Sequence, residues 1–148
     1  MPFADGGGCM ECQLTASGHA HVRGTHGSTL ELTTEEWLTP AGDCIIGVDA
    51  SHSCATLPAV MRSKAQSETT HICVELTVPG IAPVTVRGRG DPGLRWADPT
   101  SMVIRTSTYI DDRTLMVDAD CAAADLPRPL VSALADGTSL SATVRVTD

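Results

Sequence analysis

Gly18–Ala50 reads GHAHVRGTHGSTLELTTEEWLTPAGDCIIGVDA and holds three of the five histidines. Ser28–Thr33 alternates strictly. Leu30 and Leu32 fall on one face, Thr29, Glu31 and Thr33 on the other, as successive strand side chains do. His19–Arg23 alternates as well, with Ala20 and Val22 opposite His19, His21 and Arg23. Gly24-Thr-His-Gly27 between the two segments predicts a hairpin turn. On that hairpin Glu31 shares a polar face with His19, His21 and Arg23, the usual water side of an antiparallel sheet. Thr33-Thr-Glu-Glu36 resembles a capping sequence and predicts one helical turn ending near Trp37, broken by Pro40-Ala-Gly42. Cys44–Val48 is apolar except for Gly47, so Asp43–Asp49 is expected to be a strand buried on both faces.

The same grammar continues on either side. Glu11–Gly18 reads as a first strand. Leu57, Val60, Met61 and Lys64 recur at helical spacing, with Pro58 tolerated in the first turn. His71–Val78 places Ile72, Val74, Leu76 and Val78 inward, and Pro79-Gly80 turns it toward Val84–Gly88. Asp91–Thr100 is a loop carrying Trp96. Met102–Thr106 and Leu115–Asp118 follow as strands. Leu126, Leu130 and Leu134 mark a second helix closed by Gly137, and Leu140–Val146 ends the series. Val48-Asp-Ala50 ahead of Leu57-Pro58 recurs as Val117-Asp-Ala119 ahead of Leu126-Pro127, 69 positions on. Val22-Arg-Gly24 also echoes Val86-Arg-Gly88. These matches predict an α+β fold: a mixed or barrel-like sheet with two short helices, built as two degenerate strand-helix-strand repeats about a pseudo-twofold axis. Repeat one spans about 18–78 and repeat two about 84–147. Residues 1–10 are expected to form a flexible tail on a single domain, 11–148.

Composition narrows the function classes. The 148 residues carry 18 acidic and 10 basic side chains, a net charge of −8, and Lys64 is the one lysine. An acidic, lysine-poor surface suits a salt-rich, halophilic cytoplasm, where screening removes self-repulsion. It argues against nucleic acid, whose binding requires neutralised phosphates. The one basic cluster, Arg87–Arg89, is followed at once by Asp91. No apolar run spans a bilayer, Met1–Met10 lacks the features of a secretory signal, and no Asn is present for glycosylation. A cytoplasmic setting follows. Its six cysteines are then expected as free thiols or ligands rather than disulfides. Cys9 and Cys12 form one C-x-x-C, where a structural zinc site needs two such pairs or added histidines.

Gly18-His19, Thr25-His26, Thr29-Leu30-Glu31, Leu38-Thr39 and Gly42-Asp-Cys-Ile-Ile-Gly47 resemble the motifs of a small archaeal family known by a serial label, domain of unknown function 371. Met102-Val-Ile-Arg105, Asp112-Arg-Thr-Leu115 and Ala119–Leu126 resemble its later motifs, so the likeness covers most of Gly18 to Val146. It implies archaeal origin and no activity. Ala20 stands where the family usually has proline, His21 where it has asparagine, and Gly27 and Cys121 where it has lysines.

The chemistry-bearing residues gather in the opening stretch. His19, His26, Glu31, Asp43 and Cys44 offer imidazole, carboxylate and thiol. The set His19, His26, Asp43 and Cys44 is the expected site for a divalent metal such as zinc, with an open position that would activate water. Arg105 and Arg113 could hold a carboxylate or phosphate by bidentate pairing, so His19, His26, Glu31, Asp43, Arg105 and Arg113 are the expected ligand-binding residues. Each also has a plainer role. His26 can satisfy backbone groups in its turn, Asp43 can cap a turn, and Arg113 can pair with Asp111, Asp112 or Asp118. Cys44 as a nucleophile with His19 or His26 as base requires an accessible, acidified thiol. HExxH, Walker, GxGxxG and GxSxG motifs are absent. The reading is a small-ligand or metal site on the first hairpin and the Gly42–Gly47 strand. The alternative is a non-catalytic interaction or assembly module, with strand edges open to homodimerisation.

Overall fold

Alternation decides the first layer. In the computed structural model, which describes residues 9–148, β1 (Met10–Ser17), β4 (His71–Thr77), β5 (Val84–Arg89) and β8 (Ser139–Thr147) form an antiparallel sheet in the order β1-β8-β4-β5. Its inner face is Leu14 and Ala16, Ile72, Val74 and Leu76, Val86, and Leu140 to Val146 at every second position, all buried. The other face is polar and wet, as one side of an antiparallel sheet can be.

The second layer is mixed. β2 (Thr29–Thr33), β3 (Ile45–Gly47), β6 (Ser101–Arg105) and β7 (Thr114–Met116) run in the order β3-β2-β6-β7; β2 and β6 are antiparallel, and each pairs in parallel with the short strand that follows it. Leu30, Leu32, Met102, Ile104, Leu115 and Met116 join the core between the layers, each contributing about 1.5–3 kcal/mol by leaving water. Single bridges, Ser17 to Val48 and Arg89 to Val117, join the layers at both corners. Among the described residues the result is α+β, with two four-stranded sheets and no closed barrel.

Two helices, α1 (Ala59–Ala65) and α2 (Arg128–Ala135), bury Met61 and Ala65, and Leu130, Val131 and Leu134. Pro58 and Pro127 precede them at φ −55° in both cases, where a missing N–H costs nothing. The 69-position offset recurs in the backbone: Asp49 and Asp118 both adopt positive φ, 53° and 52°. Gly18 and Gly90 end β1 and β5, each against the last turn of a helix from the other half. A Cβ at Gly18 would stand 2.0 Å from the Leu134 carbonyl oxygen, and one at Gly90 2.1 Å from that of Ala65. Only glycine admits that approach. The Val22–Gly24 echo has no such counterpart, since Val86–Gly88 lies inside β5 while Val22–Gly24 lies outside any strand.

Two local expectations are corrected. His19–Arg23 is not a strand and forms no hairpin with β2. The His19 N–H is taken by the Leu134 carbonyl (2.9 Å), and Val22 turns back to donate to the His19 carbonyl (2.9 Å). β2 instead pairs with β6 and β3. Thr33–Glu36 makes no helical turn; the Thr33 hydroxyl accepts from the Glu35 N–H at 3.2 Å, a local turn that competes with helix. The expected flexible tail falls largely on residues 1–8, outside the described residues.

Candidate functional site

The outer face of the mixed sheet carries the chemistry. Alternation puts Thr29, Glu31 and Thr33 of β2 there, opposite Arg105, Val103 and Ser101 of β6 in register. This face is covered rather than wet: Glu31 is 8% exposed, Thr33 4% and Arg105 8%. The covering segments are the β2–β3 loop, Thr34–Cys44, and the β6–β7 loop, Thr106–Arg113.

The β6–β7 side is a closed cluster. Arg105 donates from Nε to the Thr114 hydroxyl (2.8 Å) and from Nη2 to both Asp111 oxygens (3.2 and 3.1 Å). Its guanidinium lies 4.9 Å from the Tyr109 ring centroid, a cation–π contact. Arg113 reaches Asp111 at 3.2 Å. Partial burial works against the Asp111 carboxylate, but the Arg113 amide and the two guanidiniums outweigh it and hold its pKa below the usual range. Asp98 is lowered likewise: burial opposes the charge, and the Thr100 and Ser101 amides, the Thr100 hydroxyl and the Arg113 charge override it.

The β2–β3 side is open. A cleft of about 160 Å³ is lined by Glu31, Thr33, Glu35, Trp37, Ile45 and Ser101, among others. Trp37 at its mouth is 64% exposed. Glu31 is the buried carboxylate there. One of its oxygens accepts from the Cys44 thiol at 3.4 Å; Arg113, held by Asp111, interacts with the Glu31 charge without forming an ion pair to it within 4.0 Å. Burial, then the Glu31 carboxylate, push the Cys44 thiol up to about 11. At neutral pH, with nothing bound, Cys44 is therefore a protonated donor.

Of the residues expected from sequence, Glu31, Cys44, Arg105 and Arg113 share this face. Among the described residues, no three His, Cys, Asp or Glu side chains converge as a metal ion would need. His26 Nδ1 accepts from the Ser28 and Thr29 amides (3.2 and 3.1 Å) and contacts the Thr29 hydroxyl (3.0 Å). Asp98 Oδ1 meets the Thr100 and Ser101 amides (both 2.8 Å) and the Thr100 hydroxyl (2.9 Å) in the same way. The imidazole is a turn cap doing a carboxylate's work. His19 Nδ1 accepts from the His21 amide at 3.0 Å. Asp43 contributes its carbonyl, which receives the Thr25 and His26 N–H groups. Cys9 and Cys12 are free thiols.

Asp111, Thr114, Glu35 and Trp37 complete the two sides and were not marked as site residues. Signals were available for Asp111, a carboxylate two residues from Arg113, and for Trp37, one of few aromatics in a chain that is only 3% aromatic.

A family model for a domain of unknown function, DUF371, matches residues 14–147. The chain belongs to this family. A relative within reach is the Uncharacterized protein MJ0206 of Methanocaldococcus jannaschii, 43% identical over 131 residues, which cover 88% of this chain and 96% of the relative. Family membership assigns no reaction. Among the described residues no helix is long and apolar enough to cross a membrane.

Proposed function

We propose that this protein binds a small ligand, without turning it over, in the cleft between the β2–β3 loop and the outer face of β2 and β6. The observation that carries this reading is Glu31, a residue 8% exposed in the wall of a cleft, whose carboxylate has one hydrogen-bond donor among the described residues, a thiol. A carboxylate this sheltered and without a close ion pair is costly, and such groups are as a rule paired. The protonated state of Cys44 supports binding rather than covalent catalysis.

The two halves are, in this reading, degenerate repeats about a pseudo-twofold axis through the Glu31–Val103 pair. Three observations support it: each sheet order is unchanged in form when the halves are exchanged, both parallel pairings carry a register shift, and the Gly18 and Gly90 contacts match.

The test is a thermal-shift panel of small cations, anions and neutral metabolites on the wild type and on Glu31→Gln, which keeps the side chain's shape. At least one class is expected to raise Tm in the wild type and to do so far less in the variant. A panel that moves neither protein, or moves both equally, would sink the cleft as a binding site.

A further inference from the structure

The ligand's chemical class can be read from the opposite side of the same sheet. The backbone marks which residues correspond. The Cys44 carbonyl accepts from the Glu31 amide, as the Arg113 carbonyl does from Val103, both at 2.8 Å. The Asp49 amide donates to the Glu35 carbonyl, and the Asp118 amide to that of Ser107. Thr33 therefore corresponds to Arg105, Trp37 to Tyr109, Ile45 to Thr114 and Gly42 to Asp111. On the β6 side, the groove under the loop is filled by the protein's own guanidinium, which lies over Tyr109 and is clamped by a carboxylate. On the β2 side the residue at that position is a threonine too short to fill the groove. The aromatic remains as Trp37, and carboxylates remain as Glu31 in the wall and Glu35 at the mouth.

Resting on the cleft as the binding site, we propose that its ligand is a small guanidinium compound, which takes in the first half the place that Arg105 takes in the second. The planar cation would lie against Trp37, the aromatic best suited to a cation, and pair with Glu31, whose one hydrogen-bond donor among the described residues is the Cys44 thiol. A guanidinium matches a carboxylate by two parallel N–H donors, which a rounded ammonium does not. At about 160 Å³ the cleft suits a guanidinium on a short alkyl stem rather than a larger ligand. Val103 replaces Glu31 on the filled side; there Asp111 supplies the carboxylate instead.

The experiment is a titration with methylguanidinium chloride up to 20 mM or so at constant ionic strength, against methylammonium chloride, with affinity expected on the order of millimolar. Trp37 emission is the readout. Trp96 is fully buried and donates to the Leu115 carbonyl at 3.0 Å, so it serves as a constant background. A saturable change with methylguanidinium, at least roughly tenfold weaker in Glu31→Gln and lost in Thr33→Arg, is the expected result. Thr33→Arg would carry its own guanidinium into the cleft as Arg105 does opposite. An unfolded Thr33→Arg is bypassed by Trp37→Phe, in which the emission change must vanish while Tm still rises with ligand. No saturable change, equal binding of methylammonium, or unaltered affinity in Glu31→Gln would overturn the guanidinium assignment. If a non-guanidinium ligand from the metabolite panel still required Glu31, the cleft would stand as the site and only its ligand class would fall.

Discussion

On one side of the β2–β6 pair, Arg105, Asp111, Thr114 and Tyr109 close on one another. On the other, the positions that the proposed repeat aligns with these are Thr33, Gly42, Ile45 and an exposed Trp37. The backbone beneath is the same: two antiparallel central strands, each with a short parallel neighbour and a register shift after its middle. The filled side shows what this geometry does when the chain satisfies it. The open side shows the same strand geometry without those groups. A groove of this kind is thus not required by the fold, because one of the two has been closed with two ion pairs and a hydroxyl.

The proposed equivalence of the two halves can be broken first. Gly18→Ala and Gly90→Ala each drive a methyl into a helix-end carbonyl at nearly the same distance, so each is expected to cost about 3 kcal/mol. With about 2–4 °C of Tm per kcal/mol for a chain of this size, both variants should melt well below wild type. If only one did, the halves would not share this contact.

The closed cluster gives the next largest effect. Asp111→Asn leaves the nearly buried Arg105 without its carboxylate and is expected to cost about 2–3 kcal/mol in a denaturant titration. Asp111 and Asp98 both have folded pKa values below their unfolded ones. Their stabilisation is therefore present above the ordinary aspartate value of about 3.9 and is lost as pH falls through the folded values. Wild-type stability should hold through neutral pH and fall below about pH 4, and Asp111→Asn should show a shallower acid limb. An unchanged acid limb in the variant would remove Asp111 from the cluster's electrostatics.

The smallest effect separates the aromatics. Tyr109→Ala removes a half-exposed cation–π contact and should cost about 0.5–1 kcal/mol. Trp37→Ala has no guanidinium to lose in the unliganded protein and should stay within about 0.5 kcal/mol of wild type. Equal losses in urea melts would mean that Trp37 has a structural partner after all.

Much of this was legible in the amino acids. Strict alternation marked β4, β5 and β8, and Pro58, Pro127 and Gly137 bracketed the helices, because these signals are local. His19–Arg23 misled because alternation says which way side chains point and not whether a pairing strand exists. The His19 amide is claimed by a helix end more than a hundred residues away in the chain. Thr33–Glu36 misled because the same Thr side chain that caps a helix can close a turn. At the site, Glu31, Cys44, Arg105 and Arg113 were picked out by residue type. That Glu31 is covered, and that Asp111 rather than an external anion holds Arg105, depends on two loops whose fold no short-range pattern encodes. The histidines drew attention for their chemistry, but His26 is used for its geometry.

β8 follows every other strand among the described residues, yet it lies inside its sheet, between β1 and β4. Met10 pairs with Val146 and His71 with Thr147. During synthesis the β4–β5 hairpin can close early, but β1 and the far edge of β4 keep their ladder groups unpaired until Ser139–Thr147 has been made. The two ladders that β8 completes join distant parts of the sequence, a topology that folds slowly and leaves those edges open to pairing with neighbouring molecules until that strand arrives.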